Sequence, residues 1–202
     1  MKILISPAHY IFNDRHESGE TAYSYNITKH IASRWGAVDV IVGSTDLINS
    51  PPKNVNLIPI YKSRTPNLLK EFVKYFAFPL LVLLKFVQMH KHYDIVHHMF
   101  PTSPHTVDPL ILFLKIFFPS TKIIIGPLQL HSKLDSGSNL SIMFTGKATY
   151  SPIIFPLQLT FKFLLLLTQP FSKLTYSLAD KVVCNFNLIK RFYKSTIPAK
   201  KI

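Results

Sequence analysis

Two histidines stand side by side in the run Asp94-Ile-Val-His97-His98-Met-Phe100-Pro101. An imidazole can serve near neutral pH as a general base or as an orienting contact to a substrate hydroxyl. The competing role for either ring is a hydrogen bond that fixes the following loop. A shared metal ion is not expected, because neighbouring strand residues point to opposite faces. Adding His90, His92 and His105 yields no ligand spacing supported by Cys or Glu. A second candidate is Gly126-Pro127-Leu128-Gln129-Leu130-His131. A glycine after a strand lets the backbone approach a ligand closely, and Gln129 and His131 could donate to a sugar or phosphate. The competing reading is a plain strand-ending turn. The third candidate is the polar stretch from His9 to Glu20, which ends in Ser18-Gly19-Glu20 at the start of a helix. Free N–H groups at such a start can face an anion or a sugar oxygen, or bind nothing. The glycines of the dinucleotide fingerprint are absent. There is no phosphate-binding glycine loop, no nucleophile elbow and no zincin motif. Only Asp135 and Asp180 lie beyond Asp108, too few acids for a paired-carboxylate glycosidase.

The elements that must position these residues alternate in type. Short apolar runs at Lys2–Ser6, Val38–Val42, Val55–Tyr61, Asp94–Phe100, Lys122–Gly126 and Lys181–Asn185 read as strands, the fifth stopped by Pro127. Between them, Thr21–Trp35 reads as a helix closed by Gly36. Leu68–His92 reads as a long helix with a kink at Pro79, and Pro109–Phe118 as a short one. Ser136–Thr149 reads as a polar loop and Pro152–Ala179 as an apolar helical region. Leu188–Lys194 opens a last helix. Apolar strands separated by helices predict a parallel sheet covered on both faces. The expected fold is therefore α/β, a doubly wound, Rossmann-like sheet of about six to seven strands in one domain over residues 1–202. Ligands of such sheets bind at the carboxyl ends of the strands, where all three candidate segments fall.

Composition narrows the partners. The 202 residues are 48% hydrophobic and only 16% charged, with a net charge of +13. Residues 109–202 carry twelve basic and two acidic residues, net +10, whereas residues 1–108 carry net +3. The cations stand singly among large apolar residues, as in Phe161-Lys162-Phe163. That pattern suits an anionic membrane surface better than nucleic acid, which is not expected as a partner. Phe76–Val87 and Ile153–Leu167 are apolar but interrupted by proline and lysine. They are open to three readings: helices covering the sheet, helices lying in the headgroup layer, or a span. One cysteine, Cys184, excludes an internal disulfide framework. Met1–Ile5 leads straight to Pro7 with no secretory h-region. The expected location is cytoplasmic, peripheral on the inner face of the cell membrane.

The serial order resembles a known family. The apolar first run, the polar loop ending in Gly19, a helix with Tyr23 and Tyr25, Asp-Ile-Val-His-His, Gly-Pro-Leu-Gln and Leu-Ala-Asp-Lys-Val-Val-Cys-Asn follow one another over the whole chain. This is similar to the N-terminal domain of retaining GT-B glycosyltransferases of family 4. The resemblance implies transfer of a hexosyl group from a nucleotide sugar to an acceptor hydroxyl, without a metal or other cofactor. It implies that Gly19 and Glu20 belong to the loop facing phosphate or acceptor. His97 or His98 would be the cleft histidine, and Gly126 and Pro127 the next cleft turn. In the family a second nucleotide-fold domain holds the donor, and Ser195–Ile202 resembles the segment just before the linker to it. The chain is thus expected to be an N-terminal half, inactive alone, whose partner is a missing or separately encoded donor domain. The acceptor would be a sugar, lipid-linked or membrane-presented. The alternative from another class is a non-catalytic binding or peripheral membrane module with the same fold.

Overall fold

A computed structural model describes residues 1–8, 11–15, 19–62, 68–99, 108–128, 174–184, 197 and 199–201. The described strands are β1 (Ile3–Ile5), β2 (Ile11–Asn13), β3 (Val38–Val42), β4 (Ser44–Asp46), β5 (Val55–Pro59), β6 (Ile95–His98), β7 (Lys122–Leu128) and β8 (Lys181–Cys184). The longer helices are α1 (Gly19–Trp35), α2 (Leu68–Met89) and α3 (Pro109–Phe117). Residues 174–178 are also helical, and Ala199–Lys201 forms a 3-10 turn. Lys201 closes on the short helix, its Nζ donating to the carbonyls of Ser177 and Ala179.

Six strands form one sheet in the order β5-β3-β1-β6-β7-β8. Every pairing is parallel, from Ile3 opposite Val38 and Ile95 to Ile124 opposite Lys181. The chain thus winds outward from β1 to β5, returns to the middle, and winds out again through β6, β7 and β8. That is the doubly wound, Rossmann-like order, and its reversal lies between β1 and β6.

Period-two alternation explains the two covered faces. Ile3, Ile5, Val38, Val40 and Val42 pack with Ala32 of α1 in one buried cluster. Leu4, Ile41, Val96, Ile123 and Ile125 point the other way, against Phe78, Val82 and Phe86 of α2 and Leu110, Ile111 and Leu114 of α3. Burying one large apolar side chain contributes about 1.5–3 kcal/mol, so a one-residue register slip would forfeit many such contributions at once.

Most expected elements stand where the sequence puts them. Gly36 ends α1 with φ +89, and its N–H donates to Ala32 O at 3.1 Å. Three details differ. The stretch after β1 is not all loop, because β2 pairs in parallel with β4, Ile11 opposite Ser44. Three-residue strands carry too little periodicity to be seen in sequence. Helix α2 stops at Met89 rather than His92, where His90 adopts a left-handed φ of 48. Pro79 lies inside that helix. Strand β7 is not stopped by Pro127 but runs to Leu128, with a register irregularity against β8 between Ile125 and Leu128. Such an irregularity accommodates a proline, which has no N–H to give to a ladder, and Gly126 supplies the left-handed φ of 121. The loop at 136–149, the helix at 188–194 and all of the 152–179 stretch before residue 174 lie outside the described residues.

Candidate functional site

The carboxyl ends of β1 and β6 meet at the reversal of strand order, where open α/β sheets leave a crevice for ligands. Three backbone contacts tie this edge together. Ser6 N–H donates to His97 O at 2.9 Å, Met99 N–H to Pro7 O at 3.2 Å, and Ala8 N–H to Ile41 O at 2.9 Å. Helix α1 is anchored to the same edge, its Ser24 Oγ donating to Ala8 O at 3.0 Å. Gly19 and Glu20 open that helix five and four residues earlier, roughly 6–7.5 Å along its axis. The peptide bonds Ser6-Pro7 and Gly126-Pro127 at this edge are both cis.

The two histidines separate as adjacent strand residues must. His97 shares the parity of Ile95, on the α1 side of the sheet, and retains 9% exposure. Its Nε2 lies 2.9 Å from Gly126 O. A carbonyl can only accept, so the hydrogen is on Nε2 and the lone pair of the neutral ring on Nδ1. Burial lowers the His97 pKa to about 4, with the Gly126 carbonyl pulling up and the neighbouring His98 pushing down. The ring is therefore neutral at physiological pH. It is a weaker base than one poised near 7, better suited to accepting a hydrogen bond from a ligand than to removing a proton.

His98 points to the other helix layer and is only 2% exposed. Its Nε2 stands 3.1 Å from Oδ2 of Asp108. The approach is off-line, since Asp108 Oδ2 and His98 Nδ1 both lack an aligned hydrogen-bond partner. The contact is therefore electrostatic rather than a directed bond. Burial holds the pKa of His98 down despite the nearby Asp108 carboxyl. Burial also pushes that of Asp108 up, so both groups are driven toward their neutral forms. Asp108 has a second task. It is the N-cap of α3, its Oδ1 accepting from Ile111 N–H at 3.0 Å, with Pro109 at the first helical turn. Asp108 thus links the end of β6 to the start of α3. Asp108-Pro109 ahead of an apolar helix is the sequence signal for this cap, and nothing local in the sequence marks its approach to His98. Ser6 Oγ is buried beside β6 without a hydrogen-bond partner. Ser6, His98 and Asp108 therefore do not form a nucleophilic triad, which needs a serine hydroxyl bonded to the imidazole.

Past the carboxyl ends of β1 and β3 the β2–β4 pair is held by Asp14, which accepts from the N–H groups of Ile48 and Asn49, each at 2.9 Å. Those bonds hold its pKa at about 2. Arg15 pairs with Asp46 at 3.0 Å.

Of the residues singled out from sequence, the fold brings His97 and Gly126 into direct contact and places Pro127 next to them in β7. Gly19 and Glu20 are at the N-terminus of α1. His98 is turned away, toward Asp108. Gln129 and His131 lie outside the described residues. Among the described residues no group of three or more His, Cys, Asp or Glu could hold a metal ion, and no helix is long and apolar enough to cross a membrane. No protein-family model matches this chain, and no curated protein sequence matches it.

Proposed function

We propose that this chain is the acceptor-side, N-terminal half of a retaining glycosyltransferase that moves a hexosyl group from a nucleotide sugar to an acceptor hydroxyl. The observation supporting it most is His97, a neutral imidazole fixed by Gly126 O at the strand-order reversal of a six-stranded parallel sheet. In this reading the Nδ1 lone pair accepts a hydrogen bond from an acceptor hydroxyl and orients it. The bond from the sugar to the nucleotide diphosphate breaks, the acceptor oxygen takes its place at the sugar carbon, and the hydroxyl proton passes to the leaving diphosphate. The leaving diphosphate is stabilised by groups of a second nucleotide-fold domain. What residues 1–202 contribute in this reading is positioning. Glycan-array binding tests the reading. A defined set of acceptor sugars should bind, and His97→Ala should weaken that binding by about two- to tenfold, as expected for losing one hydrogen bond to an oriented group. Absence of any sugar binding, or unchanged binding by the alanine variant, refutes it. Calorimetry with uridine and guanosine diphosphate sugars should give no tight complex with this chain alone.

A second reading, a non-catalytic sugar-binding module, is favoured by the low pKa of His97, about 4. Recognition needs no proton transfer. Turnover of a nucleotide sugar after a donor domain is supplied separates the two.

A further inference from the structure

Three buried polar atoms gather where β1, β6 and α3 meet, on the sheet face opposite His97. Ser6 follows β1 with the parity of Leu4, and His98 ends β6 with the parity of Val96, so both side chains enter the layer of α2 and α3. Ile5 stands opposite His97 in the parallel pairing. Ser6 and His98 are therefore the next pair along, on strands about 4.8 Å apart. Asp108 approaches from the start of α3, its Oδ2 3.1 Å from His98 Nε2. Ser6 is fully buried, and His98 and Asp108 are each 2% exposed. Yet Ser6 Oγ, His98 Nδ1 and Asp108 Oδ2 have no hydrogen-bond partner among the described residues.

The remaining polar atoms of the two acid–base side chains are already committed. His98 donates through Nε2 to the Ser6 carbonyl, which leaves a bare lone pair on Nδ1. Asp108 spends Oδ1 on Ile111 N–H. None of the three free atoms bonds another directly, although buried polar atoms are as a rule paired with protein or with ordered water. A water molecule fits what is left. It gives two hydrogens and accepts others, and it bridges atoms up to about 5.5 Å apart, twice a normal O–H···O length. It can therefore serve Nδ1, Oδ2 and Oγ together, whether the carboxyl is ionised or neutral. Three bonds is also about the number that a buried water makes. Complete burial of the three atoms leaves no opening for a larger ligand, and one histidine with one carboxylate is too small a set for a metal ion. We infer that one internal water is bound between Ser6 Oγ, His98 Nδ1 and Asp108 Oδ2, tying the ends of β1 and β6 to the N-terminus of α3. It holds the imidazole at the nitrogen that no protein group contacts. This inference stands independently of the glycosyl-transfer reading, since it does not involve His97.

Magnetic cross-relaxation between water and the carbon-bound ring protons of His98 tests it. The parent chain should show a water cross-peak with the sign of a molecule held far longer than surface water. Ser6→Ala should keep that cross-peak, because the water retains two partners while the hydroxyl that could relay the signal is gone. Absence of the cross-peak in the parent overturns the inference. So does its loss in a folded Ser6→Ala, since the signal then came from the hydroxyl. A crystal structure of the parent chain decides the matter without any variant. It should place one water within about 2.6–3.2 Å of all three atoms. Finding Ser6 Oγ bonded directly to His98 Nδ1, or an N–H of the chain in the water's place, overturns the inference.

Discussion

Replacing Asp108 with alanine removes two interactions at once. Oδ1 caps α3 through Ile111 N–H at 3.0 Å, and Oδ2 faces the buried His98 ring at 3.1 Å. Loss of an N-cap costs about 1 kcal/mol, within a range of about 0.5–2. The contact with His98 is not a directed bond, and His98 keeps a backbone partner in Ser6, so its loss adds up to about 1 kcal/mol. Together the expected destabilisation is about 2 kcal/mol. For a chain of 202 residues, where about 2–4 °C of melting temperature corresponds to 1 kcal/mol, this lowers the melting temperature by roughly 4–8 °C. Asp108→Asn keeps an oxygen for the cap and nearly the same volume. It also keeps a polar group toward a His98 that burial already holds neutral, so its loss should be less than half as large. Thermal melts of the two variants at pH 7 read this directly. An alanine variant melting within about 2 °C of the parent would show that neither interaction contributes. An asparagine variant as unstable as alanine would show that His98 requires a negative partner, contrary to the burial argument.

The lowered pKa of His97 makes stability depend on pH. The unfolded chain takes up a proton on this histidine below its ordinary 6.5, whereas the folded chain resists until about 4. The stability this group contributes is therefore complete above pH 6.5 and lost as pH falls toward 4. At 1.36 kcal/mol per unit it amounts to about 3 kcal/mol. Urea midpoints at pH 7 and 4.5 should fall less for His97→Gln than for the parent, and equal falls would contradict the assignment. Asp39 accepts from Asn56 Nδ2, Lys91 Nζ and Tyr93 Oη at 2.6–2.8 Å. Asp39→Ala should cost about 1–3 kcal/mol, because the hydroxyl of the buried Tyr93 is left without this acceptor. Lys91→Ala removes only a half-exposed ion pair and should cost under about 1 kcal/mol. Denaturant melts rank the two.

Much of the layer plan is legible in sequence because it rests on local periodicity. Apolar runs such as Val38–Val42 and Lys122–Ile125, spaced by helical stretches, announce parallel strands covered on both sides. A single glycine, Gly36, marks a helix end through its φ of +89. The adjacency of His97 and His98 also fixes in advance that they face opposite ways. Strand order, by contrast, is written in no local pattern. It follows from which faces pack together, and it alone brings His97 of β6 against Gly126 of β7 near the strand-order reversal beside β1. The partner of His98 is non-local in the same sense. Asp108 is legible as a helix cap, but its approach to the imidazole exists only once α3 lies across the end of β6. Helix α2 shows the limit most plainly. Sequence supplies apolar residues on every side of α2, and only packing decides that Phe78, Val82 and Phe86 are buried while Leu80, Leu84 and Val87 meet solvent. Local backbone preference and burial periodicity are properties of short segments. The pairing of distant groups is a property of the packed layers, and the chemistry at His97 depends on the second.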